Sequence, residues 1–400
     1  MNILSIIAQK PGNTGSGVYL YELTKQFAKL GHNQAIVAGI TMEDNFTLPQ
    51  NTSFHPVYFE SDELPFPVVG MSDEMPYTST RYCDMTSDMV EQFQNAFMNV
   101  IKPLIKEFKP DLILCHHLYL LTATVREAFP DLPIFGFCHN TDLRQMKKTD
   151  LMREYIRKQI HALDHIFVPQ KAQYNEVITM YQYPADHITM LGMGYNNQLF
   201  YNRNQRPHDG VTRIIYVGKI AGKKGLFSLL RAIALLDKPK DKLEFYFVGS
   251  SGNKKEALAI EKLANTLPYK AIFTGRLSHE ELIPYYNKCD IFVLPSFYEG
   301  IPLTAVEALA CGLRVVITDL PGVQDWLSAS TDNATISYVT LPTIQNTDEP
   351  VADELPAFEQ RLAAALQESI TSTTTPCDVS RISWTQIAKN ILNCFSGNGM

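Results

Sequence analysis

The sequence predicts an α/β protein with two doubly wound domains, each a parallel sheet with helices on its faces. Residues 291–317 contain a strand, a loop, a helix and a second strand in succession, which is the building unit of a parallel sheet. Residues 3–38 have the same order, with a glycine-rich loop between strand and helix. A chain of 400 residues also has the length of two ordinary domains.

In the first half of the chain, six apolar runs predict strands. A helix follows the first loop, because apolar side chains recur at three- and four-residue spacing from Leu20 to Leu30. A longer helix is predicted over 85–109, whereas 41–85 is rich in proline, Asp and Glu and predicts irregular structure. The predicted strands are 3–8, 34–38, 111–115, 133–138, 165–169 and 188–192.

The second half shows the same alternation. Ser278 and Glu281 form a capping box that predicts a helix over 279–288, and 328–355 is polar and acidic with no predicted element. The predicted strands are 213–217, 242–248, 271–275, 291–294 and 314–318, and the other helices are 303–310, 358–368 and 382–395.

The polar linker 201–210 gives the predicted domain limits. We expect an N-terminal domain over 1–203, a C-terminal domain over 204–380 and a terminal helix within 381–400.

Composition excludes several classes of protein. The chain is 45% hydrophobic and 19% charged, as expected of a packed soluble protein. Its net charge of −7 argues against nucleic acid as the main partner. Seven scattered cysteines without a Cys-x-x-Cys pair indicate a reducing cytoplasm. No apolar run approaches the length of a membrane span, and 1–8 predicts a first strand rather than a signal peptide.

The loop after the strand 291–294 is the strongest candidate site. Pro302 suits the first turn of the following helix, and the amides of residues 300–303 then face a ligand at the edge of the sheet. Such a helix start favours a phosphate. Glu299 and Glu307 flank it, and carboxylates beside an anion site suit the hydroxyls of a nucleotide sugar. The alternative is a pair of solvated glutamates.

Two further loops carry glycines or lysines. Residues 218–225 place Lys219 and Lys224 around a turn, although the spacing is not that of a P-loop. Two cations there could stabilise a leaving diphosphate, or simply cap a loop.

The glycine-rich loop at residues 9–17 does not fit the dinucleotide-binding fingerprint, because Leu20 occupies the position of the third glycine. Two interpretations of this loop stay open: a loop that closes over a ligand, and a plain tight turn.

These motifs together resemble one enzyme family. Residues 295–312 resemble the Glu-x7-Glu signature of retaining glycosyltransferases of family 4, and 218–225 is similar to the family's Gly-Arg-Leu-x-x-x-Lys-Gly. The opening loop, Gly-Ser-Gly-Val at 15–18, is similar as well. The resemblance implies the GT-B fold, with two Rossmann-like domains facing across a cleft, and closure of the domains on donor binding. It also implies that the domain 1–203 binds the acceptor, that the domain 204–380 binds the nucleotide sugar, and that the helix of 381–400 crosses back to the N-terminal domain.

The resemblance also implies roles for individual residues. Catalytic roles fall on His139, Glu299, Lys219 and Lys224. Donor-binding roles fall on Gly15, Ser16, Gly17, Lys219, Lys224, Arg276, Glu299, Gly300, Ile301, Pro302, Leu303 and Glu307.

Some positions depart from the family pattern. Lys219 replaces an arginine and so lacks its bidentate fork. Asn140 replaces a glycine after His139, but asparagine tolerates positive φ better than most residues. Residues 194–196 differ from the family's Asn-Gly-Val-Asp, which leaves the contact expected there in doubt.

The histidines and a basic segment have alternative interpretations. His139 could be a structural histidine, and zinc could bind His116, His117 and His139. Neighbouring residues on a strand point in opposite directions, however, and no Cys, Asp or Glu completes such a site. The six Lys/Arg of 141–161 predict a solvated helix face or contact with an anionic acceptor or lipid surface.

The sequence therefore predicts a cytoplasmic, retaining glycosyltransferase. It would move a hexose or N-acetylhexosamine from a UDP- or GDP-sugar to a sugar, glycolipid or protein acceptor, without nucleic acid and with no cofactor beyond the donor. No Asp-x-Asp motif is present, so metal independence is expected. Peripheral contact with the inner face of the membrane is an open alternative for its location. Other functions left open are a nucleotide-sugar epimerase or synthase and a non-catalytic nucleotide-sugar-binding protein.

Overall fold

The computed structural model describes residues 1–12, 14–299, 301–346, 348–375 and 377–397. These residues form two compact units. The first contains residues 1–193 and the C-terminal residues from Trp384 onwards, and the second contains Gly194–Ser383. The limits predicted from the sequence, 203/204 and 380/381, lie ten and three residues from these.

A seven-stranded parallel sheet forms the centre of the first unit. Its strand order is β3-β2-β1-β6-β7-β8-β9, with the first strand in the middle. The strands are β1 Asn2–Ile7, β2 Asn33–Ile40, β3 Thr52–Tyr58, β4 Val69–Gly70, β5 Thr80–Arg81, β6 Leu112–His116, β7 Ile134–Phe137, β8 His165–Val168 and β9 Ile188–Met190, of which β4 and β5 form a separate pair.

The helices of this unit alternate with the strands. They are α1 Gly15–Lys29, α2 Ser87–Phe108, α3 Leu120–Ala128, α4 Thr141–Lys148, α5 Arg153–His161 and α6 Lys171–Tyr181. The last helix of the chain, Trp384–Gly397, also belongs to this unit. It buries Trp384, Ile387 and Ile391 against α1, where the rings of Tyr19 and Trp384 lie perpendicular at 4.9 Å.

The second unit has a six-stranded parallel sheet of order β12-β11-β10-β13-β14-β15. Its strands are β10 Thr212–Val217, β11 Leu243–Val248, β12 Lys270–Gly275, β13 Ile291–Leu294, β14 Arg314–Asp319 and β15 Ile336–Thr340, and β16 Ile344–Gln345 pairs with β17 Glu349–Pro350 as a small hairpin. Its helices are α7 Leu226–Ala234, α8 Lys254–Ala264, α9 His279–Lys288, α10 Leu303–Ala310, α11 Val323–Ser330 and α12 Leu355–Thr371, so that the terminal helix of the chain is α13.

Both sheets reverse their strand order beside their first strand. In the second unit this reversal falls between β10 and β13, which pair in parallel through Ile214 and Ile291. Ligands of doubly wound sheets bind at the carboxyl ends of the strands beside such a point. The loops that follow β10 and β13 are therefore the ones placed to form a site.

Two segments depart from the predictions. The expectation of irregular structure over 41–85 is wrong at β3, an edge strand in which Pro56 is tolerated because an edge needs fewer ladder bonds. The segment 328–355, where no element was expected, contains β15 and the hairpin. None of the helices in the described part of the chain has the length and apolar character needed to cross a membrane.

Candidate active site

A cavity of about 420 Å³ opens in the second unit at the reversal of strand order. The loops after β10 and β13 and the start of α10 form most of its wall. Its lining residues are Val217, Gly218, Lys219, Lys223, Lys224, Leu294, Tyr298, Glu299, Ile301, Pro302, Leu303, Thr304 and Asp348. The cavity therefore brings together both motifs that the sequence singled out in this half.

Lys224 and Glu299 form an ion pair in the wall of the cavity. Lys224 Nζ lies 2.9 Å from Glu299 Oε1 and 3.2 Å from the carbonyl oxygen of Tyr298. Ser296, fully buried, donates to the same Glu299 oxygen at 2.7 Å. Only about a fifth of either charged side chain is exposed, 20% for Lys224 and 18% for Glu299. The carboxylate is thus fixed in position, while its second oxygen accepts no hydrogen bond from any described residue.

Glycines allow the loops to approach this closely. Gly225 has φ +73°, and a β-carbon there would overlap the carbonyl oxygen of Pro295. A β-carbon at Gly249 would likewise overlap the carbonyl oxygen of Gly218. Because both contacts are with backbone, no side chain can move aside to relieve them. Gly225 therefore sets the distance between the Lys224 loop and the Glu299 loop.

The start of α10 offers fewer free amides than the sequence predicted. Pro302 has no N–H, and the N–H of Leu303 donates to the Ile301 carbonyl at 2.9 Å in a tight turn. Within the described residues, the amides of Ile301 and Thr304 have no acceptor. Gly300 lies outside the described residues. Of the anion-binding amides predicted at 300–303, the structure thus leaves that of Ile301 available, with Thr304 beside it, whereas the prediction for Leu303 is wrong and that for Gly300 stays a prediction.

Glu307 lies beneath the cavity rather than in its lining. Its side chain is 8% exposed, and Oε2 accepts a hydrogen bond from Tyr286 at 3.3 Å. Burial raises the pKa of this carboxyl group from 4.5 to about 8, and the Tyr286 hydroxyl opposes that rise. Glu307 is therefore mostly protonated at neutral pH.

The remaining predicted donor residues occupy different places. Lys219 is exposed at the mouth of the cavity, and its carbonyl oxygen accepts from Tyr216 at 2.7 Å. Arg276 is exposed after β12 and is absent from the described lining. Lys223 and Asp348 line the cavity although the sequence singled out neither for it. Lys223 adjoins a predicted residue, whereas nothing local to 328–355 indicated Asp348.

The glycine-rich loop of the first unit is held by its own hydrogen bonds. Gln9 donates to the hydroxyls of Thr14 and Ser16 at 2.8 Å, and His117 contacts the Ser16 hydroxyl at 2.9 Å. A β-carbon at Gly17 would lie 2.5 Å from a backbone nitrogen of the same loop, whereas one at Gly15 would meet nothing within 4 Å. Gly17 is thus needed for the packing of the loop. Ser16 is buried, and its hydroxyl group bonds to Gln9 and His117.

The three histidines of the first unit lie together. His116 Nδ1 is 3.2 Å from His139 Nε2, and the His117 and His139 rings are 4.8 Å apart. The expectation that His116 and His117 point in opposite directions is therefore wrong, because His117 has φ +75° and has left the strand. Burial lowers the pKa of all three rings, that of His139 to about 3, so each is neutral at physiological pH.

The turn after His139 has its asparagine at positive φ. Asn140 has φ +69° but ψ −35°, which lies outside the left-handed helical region in which asparagine is enriched. Buried Asp142 closes the turn by accepting from the backbone N–H groups of Leu118 and His139, at 2.9 and 3.2 Å. Among the residues described, no group of three or more His, Cys, Asp or Glu side chains is arranged to hold a metal ion.

Two family models match the chain in succession. The model described as Glycosyltransferase Family 4 matches residues 13–198, and that described as Glycosyl transferases group 1 matches residues 200–336. Their shared limit, between residues 198 and 200, lies close to the start of the second unit at Gly194.

Curated relatives are distant and similar over part of their length. Glycogen synthase of Mycobacterium tuberculosis is 24% identical over 276 residues, which covers 67% of this chain and 66% of that protein. Sulfoquinovosyl transferase SQD2 of Arabidopsis thaliana is 30% identical over 186 residues, 44% of this chain and 34% of that protein. The chain thus spans just under two thirds of the first relative and about a third of the second.

Solved structures show the fold over the whole length. A glycosyltransferase from Rickettsia africae has a TM-score of 0.63 at 15% identity, covering 99% of this chain and 98% of its own. Anabaena HepE, solved in complex with UDP, has a TM-score of 0.58 at 13% identity, covering 99% and 100%. Together with the two family models, the two parallel-sheet units and the paired glutamates, these matches lead to one conclusion: the chain belongs to the family 4 glycosyltransferases, transferases of the GT-B fold.

Proposed function

We propose that the enzyme transfers a hexose or N-acetylhexosamine from a UDP- or GDP-sugar to a sugar, glycolipid or protein acceptor with retention of configuration. The observation that carries this proposal is the cavity in which the Lys224–Glu299 ion pair adjoins the start of α10. A site that combines cations, amides and a fixed carboxylate suits a ligand with phosphates at one end and hydroxyls at the other.

The charge of the leaving group sets the chemical task. Transfer breaks the bond between the anomeric carbon and a diphosphate oxygen, and the diphosphate leaves with the electron pair. A new bond forms from the acceptor oxygen to the anomeric carbon on the same face, and the proton of the acceptor hydroxyl passes to the departing diphosphate. Lys219, Lys224 and the amides of Ile301 and Thr304 are the groups available to stabilise the charge that develops on the diphosphate.

Carboxylates are proposed to hold the hydroxyl groups. Glu299, fixed by Ser296 and Lys224, would accept from the donor sugar, and Glu307 would accept from the ribose once ionised. Anabaena HepE has been solved with UDP-glucose, and this supports a nucleotide-sugar donor. The donor roles of His139, Arg276 and the loop at 15–17 stay predictions from the family resemblance.

Two further properties belong to the proposal. The enzyme is expected to act without a metal ion, so activity should persist in a chelator, and strict dependence on Mn²⁺ would contradict this. All seven cysteines are free thiols, which fits a reducing cytoplasm.

Proton NMR of the released sugar tests the transfer directly. The enzyme is incubated with UDP-glucose, UDP-N-acetylglucosamine or GDP-mannose, and the anomer released to water or to a sugar acceptor is recorded before it equilibrates. Retention supports the proposal, whereas inversion contradicts it. Conversion to an epimeric nucleotide sugar would indicate the epimerase alternative, and binding without any turnover would indicate the non-catalytic one.

A further inference from the structure

The β16–β17 hairpin contributes a wall of the cavity that the two sequence motifs do not account for. Its base is closed by the N–H of Val351, which donates to the Thr343 carbonyl at 2.9 Å, and by Glu354, which accepts from the N–H of Thr343 at 2.7 Å. Asp348 on this hairpin lines the cavity together with Glu299. Two carboxylates from distant parts of the chain therefore face one ligand volume.

Asp348 is available to a ligand because its present partner holds it weakly. Its carboxylate lies 3.3 Å from Lys223 Nζ, and the two side chains are 32% and 63% exposed. Exposed ion pairs of this kind contribute little and exchange partners readily. The carboxylate can therefore leave Lys223 for a hydroxyl group without a large loss.

The charges of the cavity indicate whether Asp348 would contact the diphosphate or the sugar of a bound donor. A carboxylate beside a diphosphate costs free energy through repulsion, whereas beside a sugar hydroxyl it accepts a charge-assisted hydrogen bond. Lys224 and Lys219 with the α10 amides supply a place for the phosphates. The favourable place for a second carboxylate is then the hydroxyl-bearing end, with Glu299.

We propose that Asp348 is a specificity-determining residue, which accepts a hydroxyl of the donor sugar and, with Glu299, excludes donors whose sugar carries a carboxylate. The inference rests on the proposed function and names its substrate class, namely neutral sugars rather than uronic acids. Repulsion between two unit charges about 4 Å apart changes an affinity by about fivefold in bulk water and by much more at the lower effective dielectric of a protein surface, so about tenfold is the smallest effect expected at a half-buried carboxylate.

The hairpin also supplies a matched control. Glu349, the next residue, lines a second cavity of about 640 Å³, which shares only Lys223 and Asp348 with the described lining of the first. It is absent from the described lining of the first cavity. Asp348→Asn and Glu349→Gln therefore remove the same charge from the same hairpin, but only the first alters the proposed sugar site.

The test is calorimetric titration of the whole chain with a nucleoside diphosphate, its neutral sugar and its uronate. UDP, UDP-glucose and UDP-glucuronate form one set, and GDP, GDP-mannose and GDP-mannuronate form the other. We expect Asp348→Asn to shift the ratio of the uronate affinity to the neutral-sugar affinity by at least about tenfold toward the uronate, while the affinity for the free diphosphate changes less than about threefold. Glu349→Gln should leave the ratio unchanged.

Two results would overturn the inference, and they are distinguishable. If Asp348→Asn changed the affinities for the free diphosphate, the neutral sugar nucleotide and the uronate equally, Asp348 would lie at the phosphates. That result would refute its role in sugar selection and leave the proposed function standing. Failure of the wild-type protein to bind any of the six ligands would refute the proposed function itself, and the inference with it.

Discussion

Replacing Glu307 with glutamine tests two effects of this residue, its lowering of the stability of the fold and its contribution to ligand affinity. Burial raises the pKa of its carboxyl group from 4.5 to about 8, so the folded chain keeps this proton at pH values where the unfolded chain has lost it. Unfolding between these values releases a proton, and the free energy of unfolding falls as the pH rises. Below pH 4.5 the carboxyl group is protonated in both the folded and the unfolded state, so Glu307 no longer lowers the free energy of unfolding.

The size of the effect follows from that difference in pKa. Each unit of pKa corresponds to ~1.4 kcal/mol. With the pKa raised from 4.5 to about 8, titration of Glu307 lowers the free energy of unfolding, relative to its value below pH 4.5, by about 3 kcal/mol at pH 7 and about 5 kcal/mol above pH 8. Glutamine has no proton to lose and still accepts from Tyr286. The variant should therefore match the wild type near pH 4.5 and exceed its stability increasingly at higher pH.

Tryptophan fluorescence can follow the unfolding of the second unit, which contains Glu307. The chain has two tryptophans, of which Trp326 lies in α11 of the second unit. In a Trp384→Phe background, urea unfolding at pH 5 to 9 reports this unit alone, for Glu307 and for Glu307→Gln. A stability difference that does not change with pH would refute the assigned pKa. The variant should also bind UDP- or GDP-sugars at least about tenfold less tightly, because it cannot offer a charged acceptor.

Three further substitutions test the loops. Gly225→Ala should lower the stability of the second unit by about 3 kcal/mol, from left-handed strain and overlap with a carbonyl oxygen, whereas Gly252→Ala, with open space around it, should not change its melting temperature. Gly17→Ala should cost the first unit ~1–3 kcal/mol in urea unfolding, against less than ~1 kcal/mol for Gly15→Ala, and equal effects would contradict the packing described. Lys224→Met should weaken nucleoside diphosphate binding at least about tenfold in calorimetry, and unchanged affinity would remove it from the site.

Short sequence patterns were sufficient to predict the strands and helices that carry the candidate site. The bounds predicted for the strand 291–294 and the helices 279–288 and 303–310 agree with the structure. Pro302 and the Ser278–Glu281 capping box mark helix starts through contacts within one turn. The pairing of Lys224 with Glu299 follows once two parallel strands are neighbours.

What the sequence missed depends on distant contacts or on backbone dihedrals. The edge strand β3 gains its ladder of hydrogen bonds from β2, and the hairpin that carries Asp348 has only two residues in each strand, which is too short for a pattern of its own. The positive φ of His117 brings its ring to His139 against the alternation expected of a strand. The tight turn at Pro302 uses the Leu303 amide, which no residue pattern indicated.

The most direct test of the account is thermal melting of the purified protein with UDP, GDP and ADP and their common sugar nucleotides. We predict that the ligands of one base raise the melting temperature, and that Lys224→Met abolishes the rise while Glu349→Gln, outside the described lining of the donor cavity, retains it. If no nucleotide raises the melting temperature of the wild type, the cavity between β10 and β13 is not a donor site, and the central claim fails.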